Sequence, residues 1–370
     1  MREKIIPVVM PKWGLSMKEG TLTQWHVEEG DTIRVAQVIM DVETDKIASE
    51  VEAPDAGLLR RKVGKEGDVY SVQALLGILA PLEVTDEEID TFIAAFVQPT
   101  NDDDTDDEVA SAYAFMETDH GRIRYSHINA DASGTPYVLI HGFGGDLDNW
   151  LFNLDALAEQ GPVLAIDLPS HGQSQINTDI GFDDLWKTVA VAMDKLNLGA
   201  AHLVGHSMGG LICTEIAKQH PDKVKSLSLI SSAGLGEVIN NDYICGFIDA
   251  ESRKNLKPVL QLLFADSGLV TRSLVDDVLK YKRLDGVTQA LSSLANQLFP
   301  DGKQRNRIPS PIAPPTLVIW GEQDTVIPAS HAHTLPNAEC CILSQAGHMV
   351  QMEKANEVNA MILAHTQAVN

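Results

Sequence analysis

The sequence lacks the features that would place this protein in a membrane, in an oxidising compartment or on a nucleic acid. It has four scattered cysteines and no C-x-x-C pair, so we expect free thiols in a reducing cytoplasm and no metal centre. No apolar run approaches the ~18–20 residues of a membrane span, and the N-terminal stretch has no secretory pattern. Basic residues are few: 28 Lys and Arg stand against 52 Asp and Glu. The net charge of −24 disfavours nucleic acids and anionic membranes as partners.

What the sequence does contain is enough chain for two domains, because 370 residues exceed one ordinary core. In residues 1–80, short Val/Ile/Leu/Thr segments alternate with Gly, Pro and Asp turns, which is typical of β-strands. This region also has an internal repeat. Its matching positions, 37 residues apart, are Gly20 and Gly57, Leu22 and Leu59, and the Glu-Gly-Asp runs 29–31 and 66–68. Two similar halves predict a small pseudo-symmetric β-sandwich.

Lys46 lies between the two halves of the repeat. The preceding Asp45 is typical of a hairpin turn, and the residues after Lys46 alternate as in a β-strand. One interpretation is a solvated turn lysine, as most lysines are. The other is a lysine held in a protruding position where another enzyme can modify it.

Residues 5–80, with the tip E-T-D-K, resemble the lipoyl domain of the 2-oxo-acid dehydrogenase complexes. By that resemblance Lys46 is the lipoylation site and carries lipoate through an amide bond. Lysine and lipoate together make a flexible arm of roughly 14 Å, on the scale of extended chains. Its dithiolane end accepts an acyl group as a thioester.

Residues 81–112 differ from both flanking regions and predict a linker. Thr85 and Glu88 have the spacing of a capping box, and apolar residues follow at i, i+3, i+4 and i+7, so we expect a short amphipathic helix over residues 85–97. Its apolar face would dock on a partner, on the large domain or on a second copy of the chain. The acidic run 101–108 is either an extended tether or an acidic surface loop.

From residue 113 onward, short apolar segments alternate with helical patterns. This alternation predicts a mostly parallel sheet with helices on both faces. The run GHSMG, residues 205–209, is a G-x-S-x-G motif between a predicted strand and a predicted helix. In that context a strained turn projects the hydroxyl of Ser207, which is therefore a candidate nucleophile. The simpler alternative is a serine in an ordinary strand-to-helix turn.

A serine hydroxyl needs a base and a group that orients the base. Asp324 follows the predicted strand TLVIW, and His348 lies in AGHMVQME near the C-terminus. We predict that His348 is the base and that Asp324 orients it. The backbone N–H groups of Met208 and Phe143 are the candidate oxyanion donors, the second from the loop HGFGG.

Residues 113–370 resemble the α/β-hydrolase superfamily in five motifs: H-G-F-G-G, D-L-P-S-H-G-x-S, G-H-S-M-G-G, W-G-x-x-D and a late G-H. By that resemblance the helical residues 234–306 are a cap that shapes the acyl pocket. The predicted fold class is thus a small all-β lipoyl-type sandwich plus an α/β-hydrolase fold.

The combination resembles the acetyltransferase components of acetoin dehydrogenase (acetoin-cleaving) systems, and the H-x-x-x-D-G signature of ordinary 2-oxo-acid dehydrogenase acyltransferases is missing. The resemblance implies acetyl transfer from the lipoyl arm to coenzyme A. It implies a thiamine-diphosphate acetoin-cleaving component, a dihydrolipoamide dehydrogenase and further copies of the chain as partners. Two alternatives stay open: a hydrolase of a small ester, thioester or C–C bond tethered to a lipoyl domain, and a non-enzymatic carrier or scaffold subunit.

Overall fold

The computed structural model describes residues 5–13, 17–44, 48–96, 113–305, 308 and 311–369. The chain divides into two compact units, one formed chiefly by residues 1–109 and the other chiefly by the rest. None of the helices in the described ranges combines the length and the apolar character that a membrane span requires.

The first unit consists of two four-stranded antiparallel sheets within the described residues. Its strands are β1 (Ile6–Val9), β2 (Glu19–Trp25), β3 (Thr32–Ile33), β4 (Val38–Glu43), β5 (Ala48–Glu52), β6 (Gly57–Lys62), β7 (Val69–Ser71) and β8 (Leu75–Leu79). The sheet orders are β1-β8-β6-β3 and β5-β4-β2-β7. Buried Met, Leu, Ile and Val side chains with Trp25 fill the core of this sandwich.

The sequence repeat appears in the structure as a reciprocal pair of turns. Gly30 and Gly67 both adopt a positive φ, at 99° and 87°, which glycine accepts without steric cost. The N–H of Gly30 donates to the carbonyl of Leu59, and the N–H of Gly67 donates to the carbonyl of Leu22, each at 2.7 Å. Each turn is thus fixed by the matching leucine of the other half, which explains why the two positions recur together.

The hairpin formed by β4 and β5 has Glu43 opposite Ala48. Lys46 lies between these paired strands in the sequence. It falls outside the described residues, as does the acidic run 101–108.

The first helix, α1 (Asp86–Ala95), packs on the unit to which it belongs. The predicted capping box is present: Thr85 N–H donates to Glu88 Oε2 at 2.8 Å, and Glu88 N–H donates to Thr85 Oγ1 at 3.3 Å. Ile89 is fully buried against apolar residues of β8 and the segment after it. Arg60 adds hydrogen bonds to the carbonyls of Pro81 (3.0 Å) and Val84 (2.9 Å). The apolar face of α1 therefore packs on its own unit, which is none of the three predicted docking sites.

The second unit is built on one eight-stranded sheet within the described residues, in the order β16-β15-β14-β13-β11-β12-β10-β9. Its strands are β9 (Ala114–Thr118), β10 (Gly121–Ile128), β11 (Tyr137–Ile140), β12 (Val163–Ile166), β13 (Ala201–His206), β14 (Val224–Ile230), β15 (Thr316–Gly321) and β16 (Glu339–Leu343). In this spatial order, all neighbouring strands from β16 to β12 are parallel. Strand β10 is antiparallel to both of its neighbours, β12 and β9. The strands β11, β12, β13 and β15 are buried throughout, as expected for a sheet covered on both faces.

The helices of this unit are α2 (Leu154–Ala158), α3 (Phe182–Lys195), α4 (Met208–Gln219), α5 (Asn241–Asp249), α6 (Arg253–Gln261), α7 (Arg272–Lys282), α8 (Val287–Leu298), α9 (Val350–Glu353) and α10 (Ala355–Val369). Helices α5 to α8 lie between β14 and β15 and interrupt the strand–helix alternation. Because the carboxyl ends of parallel strands share one edge of a sheet, the residues after β11, β13 and β15 meet there.

Candidate active site

Ser207 lies in a strained turn between β13 and α4. Its backbone has φ 52° and ψ −117°, a conformation that residues with a Cβ rarely adopt. A Cβ on Gly205 would overlap the backbone of Gly209, and a Cβ on Gly209 would overlap the carbonyl of Ile140. The glycines of the G-x-S-x-G motif thus permit a close strand–helix approach, as the motif predicts.

His348 and Asp324 form a buried pair on the loops after β16 and β15. His348 Nδ1 lies 2.8 Å from Asp324 Oδ2, and the two side chains are 3% and 0% exposed. The other carboxylate oxygen, Oδ1, accepts from the N–H groups of Val326 (2.8 Å) and Ile327 (2.9 Å). Because Nδ1 donates to this fixed carboxylate, Nε2 of a neutral His348 has the lone pair that a general base needs.

His206 joins the turn of Ser207 to the loop of His348. Its Nε2 donates to the carbonyl oxygen of His348 at 2.9 Å, and the two rings are 4.8 Å apart. Burial, and then the neighbouring His348, hold the pKa of His206 well below its ordinary value. The imidazole is therefore neutral with its proton on Nε2. Neither this histidine nor His141 is among the site residues that the sequence predicts.

The loop after β11 approaches Ser207 through its glycines. A Cβ built on Gly142 would lie 3.0 Å from the Cβ of Ser207. The Gly142 carbonyl accepts from His141 Nδ1 at 2.8 Å, while His141 Nε2 accepts from the N–H of Leu168 at 3.0 Å. Since the C=O and N–H of a trans peptide point in opposite directions, the Phe143 N–H points away from His141. The loop is thus held in one orientation by a neutral histidine.

Aromatic side chains surround Phe143. Its ring packs edge-on against Phe247 of α5 and Phe299 after α8, with centroids 6.2 Å apart in each case, and against His171 at 6.5 Å. Phe143, Phe247 and Phe299 are 7%, 2% and 7% exposed, and Ser207 is 9% exposed. The ring of Phe143 is therefore packed in an aromatic cluster, and Ser207 is largely shielded from water.

Three buried histidines make the stability of this unit depend on pH. Burial lowers the pKa of His141 to about 4 and that of His171 to about 3, and that of His206 lies well below its ordinary value. In the unfolded chain each would titrate near ~6.5. Below that pH the unfolded state binds more protons than the folded state, so stability is full above ~6.5 and is lost as the pH falls.

We therefore expect the free energy of unfolding to fall between about pH 6 and pH 5 by roughly 1 kcal/mol per pH unit for each of the three histidines. Urea denaturation across this range, followed by tryptophan fluorescence, measures the slope. A His171→Gln variant should lose about a third of it. His333→Gln, at an exposed histidine, is the control and should leave the slope unchanged. If the free energy of unfolding depends on pH equally in both variants, His171 does not have a lowered pKa in the folded state.

Two family models match this chain. Residues 135–355 match the family model of the alpha/beta hydrolase fold, and residues 6–79 match a family described as biotin-requiring enzyme. A solved meta-cleavage product hydrolase from Pseudomonas fluorescens covers 70% of this chain and 98% of its own, with a TM-score of 0.62 and 23% identity, and shows the same fold. The chain is therefore an α/β-hydrolase with an N-terminal domain of the biotinyl/lipoyl type, and the predicted fold class is confirmed.

Two curated relatives define the family more closely. The dihydrolipoyllysine-residue acetyltransferase component of the acetoin cleaving system of Cupriavidus necator is 51% identical over 366 residues, which are 98% of this chain and 97% of that protein. The component of the same name from Pseudomonas putida is 46% identical and covers 98% of both chains. The chain belongs to the family of dihydrolipoyllysine-residue acetyltransferase components of acetoin cleaving systems. The resemblance predicted from its motifs is thus confirmed.

Proposed function

We propose that this protein transfers an acetyl group from a lipoyl arm on Lys46 to coenzyme A, with Ser207, His348 and Asp324 as its catalytic triad. The observation that carries the proposal is the buried Asp324–His348 pair, joined through His206 to the strained turn of Ser207. It occurs in a chain whose relatives are named as acetyltransferase components.

Residues 1–80 would present the arm. Of the predicted linker 81–112, α1 packs on the first unit, so the part after α1 would act as the tether. Residues 113–370 would perform the chemistry, with residues 234–306 as the cap. Strands β4 and β5 pair antiparallel, and Lys46 lies between them in the sequence, which supports a lysine that a modifying enzyme can reach. Lipoate on Lys46 would supply a dithiol that holds the acetyl group as a thioester.

In the first half-reaction, His348 Nε2 takes the proton of Ser207 Oγ as the oxygen attacks the carbonyl carbon of the thioester donor. The carbon–sulfur bond breaks, and His348 returns the proton to the leaving sulfur. Ser207 then carries the acetyl group as an ester. In the second half-reaction, His348 takes the proton of the coenzyme A thiol and the sulfur attacks the carbonyl carbon of the ester. The bond between that carbon and Ser207 Oγ breaks, and His348 returns the proton to Oγ.

Negative charge develops on the carbonyl oxygen in both half-reactions. The N–H groups of Met208 and Phe143 are the proposed donors to it, and loss of one such donor costs about 3 kcal/mol in the transition state. Met208 begins α4, so its N–H lies at the positive end of that helix. His141 supports Phe143 by holding the Gly142 carbonyl in place.

Transfer to a thiol and hydrolysis by water would use the same triad. The low exposure of Ser207, 9%, favours transfer, because an acyl-serine lasts longer where water is excluded. Asp324 would hold the tautomer of His348 and stabilise the imidazolium that forms during each step.

Membership in this family implies work in a multienzyme complex. We propose that a thiamine-diphosphate component loads the acetyl group, that a dihydrolipoamide dehydrogenase reoxidises the dithiol, and that several copies of this chain assemble. We further propose that the complex works in the cytoplasm. We propose that nucleic acids and anionic membranes are not partners, because the chain carries a net charge of −24.

The test supplies the lipoylated full chain with isotope-labelled acetyl-dihydrolipoamide, with and without coenzyme A. We expect labelled acetyl-coenzyme A as the main product when coenzyme A is present, and slow release of acetate when it is absent. Acetate as the main product in both cases would show a hydrolase. Neither product above the uncatalysed rate would favour a carrier or scaffold subunit.

A further inference from the structure

Helices α6 and α7 enclose a cleft whose charge is opposite to that of the chain. The cleft has a volume of about 550 Å³. Its charged lining consists of Arg253 and Lys254 at the start of α6 and of Asp276, Lys280 and Arg283 on or just after α7. Two of these four cations are already in ion pairs, Arg253 with Asp276 and Lys280 with Asp277. Lys254 and Arg283 therefore supply the positive charge of the cleft, in a chain of net charge −24.

The arrangement of this cleft suits an anion. Arg253 pairs with Asp276, with the guanidinium Nη2 2.8 Å from Oδ2, and this pair joins the two helices. The N-terminal end of α6, capped by Ser252, also faces the cleft and adds the positive end of a helix dipole. Lys254 and Arg283 are exposed and add two more cations at the same place. Arg and Lys grouped at a helix N-terminus are the usual recognition elements for phosphate.

The other end of α6 reaches the candidate active site. Just beyond that helix, the carbonyl of Leu263 accepts from the N–H of Met349, the neighbour of His348, at 3.0 Å. Helix α6 has nine residues and is therefore about 13 Å long. The basic cleft and the loop of His348 thus lie at opposite ends of one short helix.

We propose that the cleft between α6 and α7 binds the phosphate groups of coenzyme A. The inference rests on the proposed transfer to coenzyme A and adds the place where that acceptor is held. Coenzyme A carries a diphosphate and a 3′-phosphate, separated from its thiol by a pantetheine arm of roughly 15 Å when extended. With its phosphates in the cleft, the arm would run along α6 and bring the thiol to His348.

The test compares the full chain with the double variant Lys254→Gln/Arg283→Gln. Calorimetry should show that the Kd for coenzyme A rises at least about tenfold, the equivalent of 1.4 kcal/mol. The KM for coenzyme A should rise similarly, whereas kcat/KM with pantetheine, which lacks the nucleotide, should stay within twofold. Adenosine 3′,5′-bisphosphate should compete with coenzyme A for the unmodified chain and far less for the variant.

A matched control is Lys187→Gln/Lys218→Gln, at exposed lysines of α3 and α4. It should change neither constant. An unchanged Kd in the cleft variant, or no binding of coenzyme A to the unmodified chain, would overturn the site. An equal loss with pantetheine would also overturn it, because the defect would then be structural. If the cleft variant loses binding but the unmodified chain releases only acetate, the site stands and the proposed transfer falls.

Discussion

Replacing Ser207 by alanine should lower the rate of acetyl transfer to coenzyme A by at least about 10⁴-fold. The proposed mechanism has no nucleophile without this hydroxyl, and His348 cannot substitute as an acceptor for the ester step. Initial rates with isotope-labelled acetyl-dihydrolipoamide and the full chain measure the loss. Direct attack of coenzyme A on the donor would leave the rate nearly unchanged and would exclude an acyl-serine.

The substitution should leave the fold intact, which makes the loss interpretable. The hydrogen bonds of Ser207 to Ile230 and from Ala233 use its backbone atoms, at 2.9 and 3.0 Å, and alanine retains both. Ser231 offers a matched control: it follows the neighbouring strand β14, also has a positive φ (43°), and is fully buried. Ser231→Ala should keep transfer within a few-fold. If both variants lose activity equally, the loss reflects strain in these turns and not a missing nucleophile.

The parts of the site that the sequence predicts well are local. A strand, the run GHSMG and a helix follow one another in the chain, so the turn at Ser207 is determined within about ten residues, the scale of one strand–turn–helix unit. Asp324 and His348 each follow a short apolar strand, and the shared edge of a parallel sheet brings such loops together. In the structure, Nδ1 of His348 and Oδ2 of Asp324 lie 2.8 Å apart, as expected for residues of two such loops.

The parts that the sequence does not predict depend on contacts between distant residues. His206 and His348 are 142 positions apart, and a histidine beside the nucleophile has the same pattern whether it packs or bonds to a loop. The cleft between α6 and α7 is similar. Arg253 lies in α6 and Arg283 directly follows α7, so only the packing of these helices brings them together, and the acidic overall composition does not reveal the basic patch.

For helix α1, the sequence predicts the helix but not the surface on which it packs. Its capping box and apolar stripe predict a helix, and the structure has one at Asp86–Ala95. The stripe does not identify the surface that covers it, because an apolar face is equally satisfied by any apolar neighbour. The structure gives Ile89 a place against β8 of the same unit, so the helix does not need a partner to bury that residue.

The second large effect is expected at Lys46. The Lys46→Arg variant keeps the positive charge but lacks the primary amine that forms an amide with lipoate, so intact-mass measurement in lipoate-competent cells should show no lipoyl increment. Acetoin-dependent acetyl-coenzyme A formation by the assembled complex should then be abolished. Transfer from free acetyl-dihydrolipoamide should remain, because the proposed triad belongs to the other unit. Lys65→Arg, at an exposed lysine of the same unit, should retain both the increment and the activity. A lipoyl increment on the Lys46→Arg chain, or loss of transfer from the free donor as well, would show that Lys46 is not a dedicated carrier.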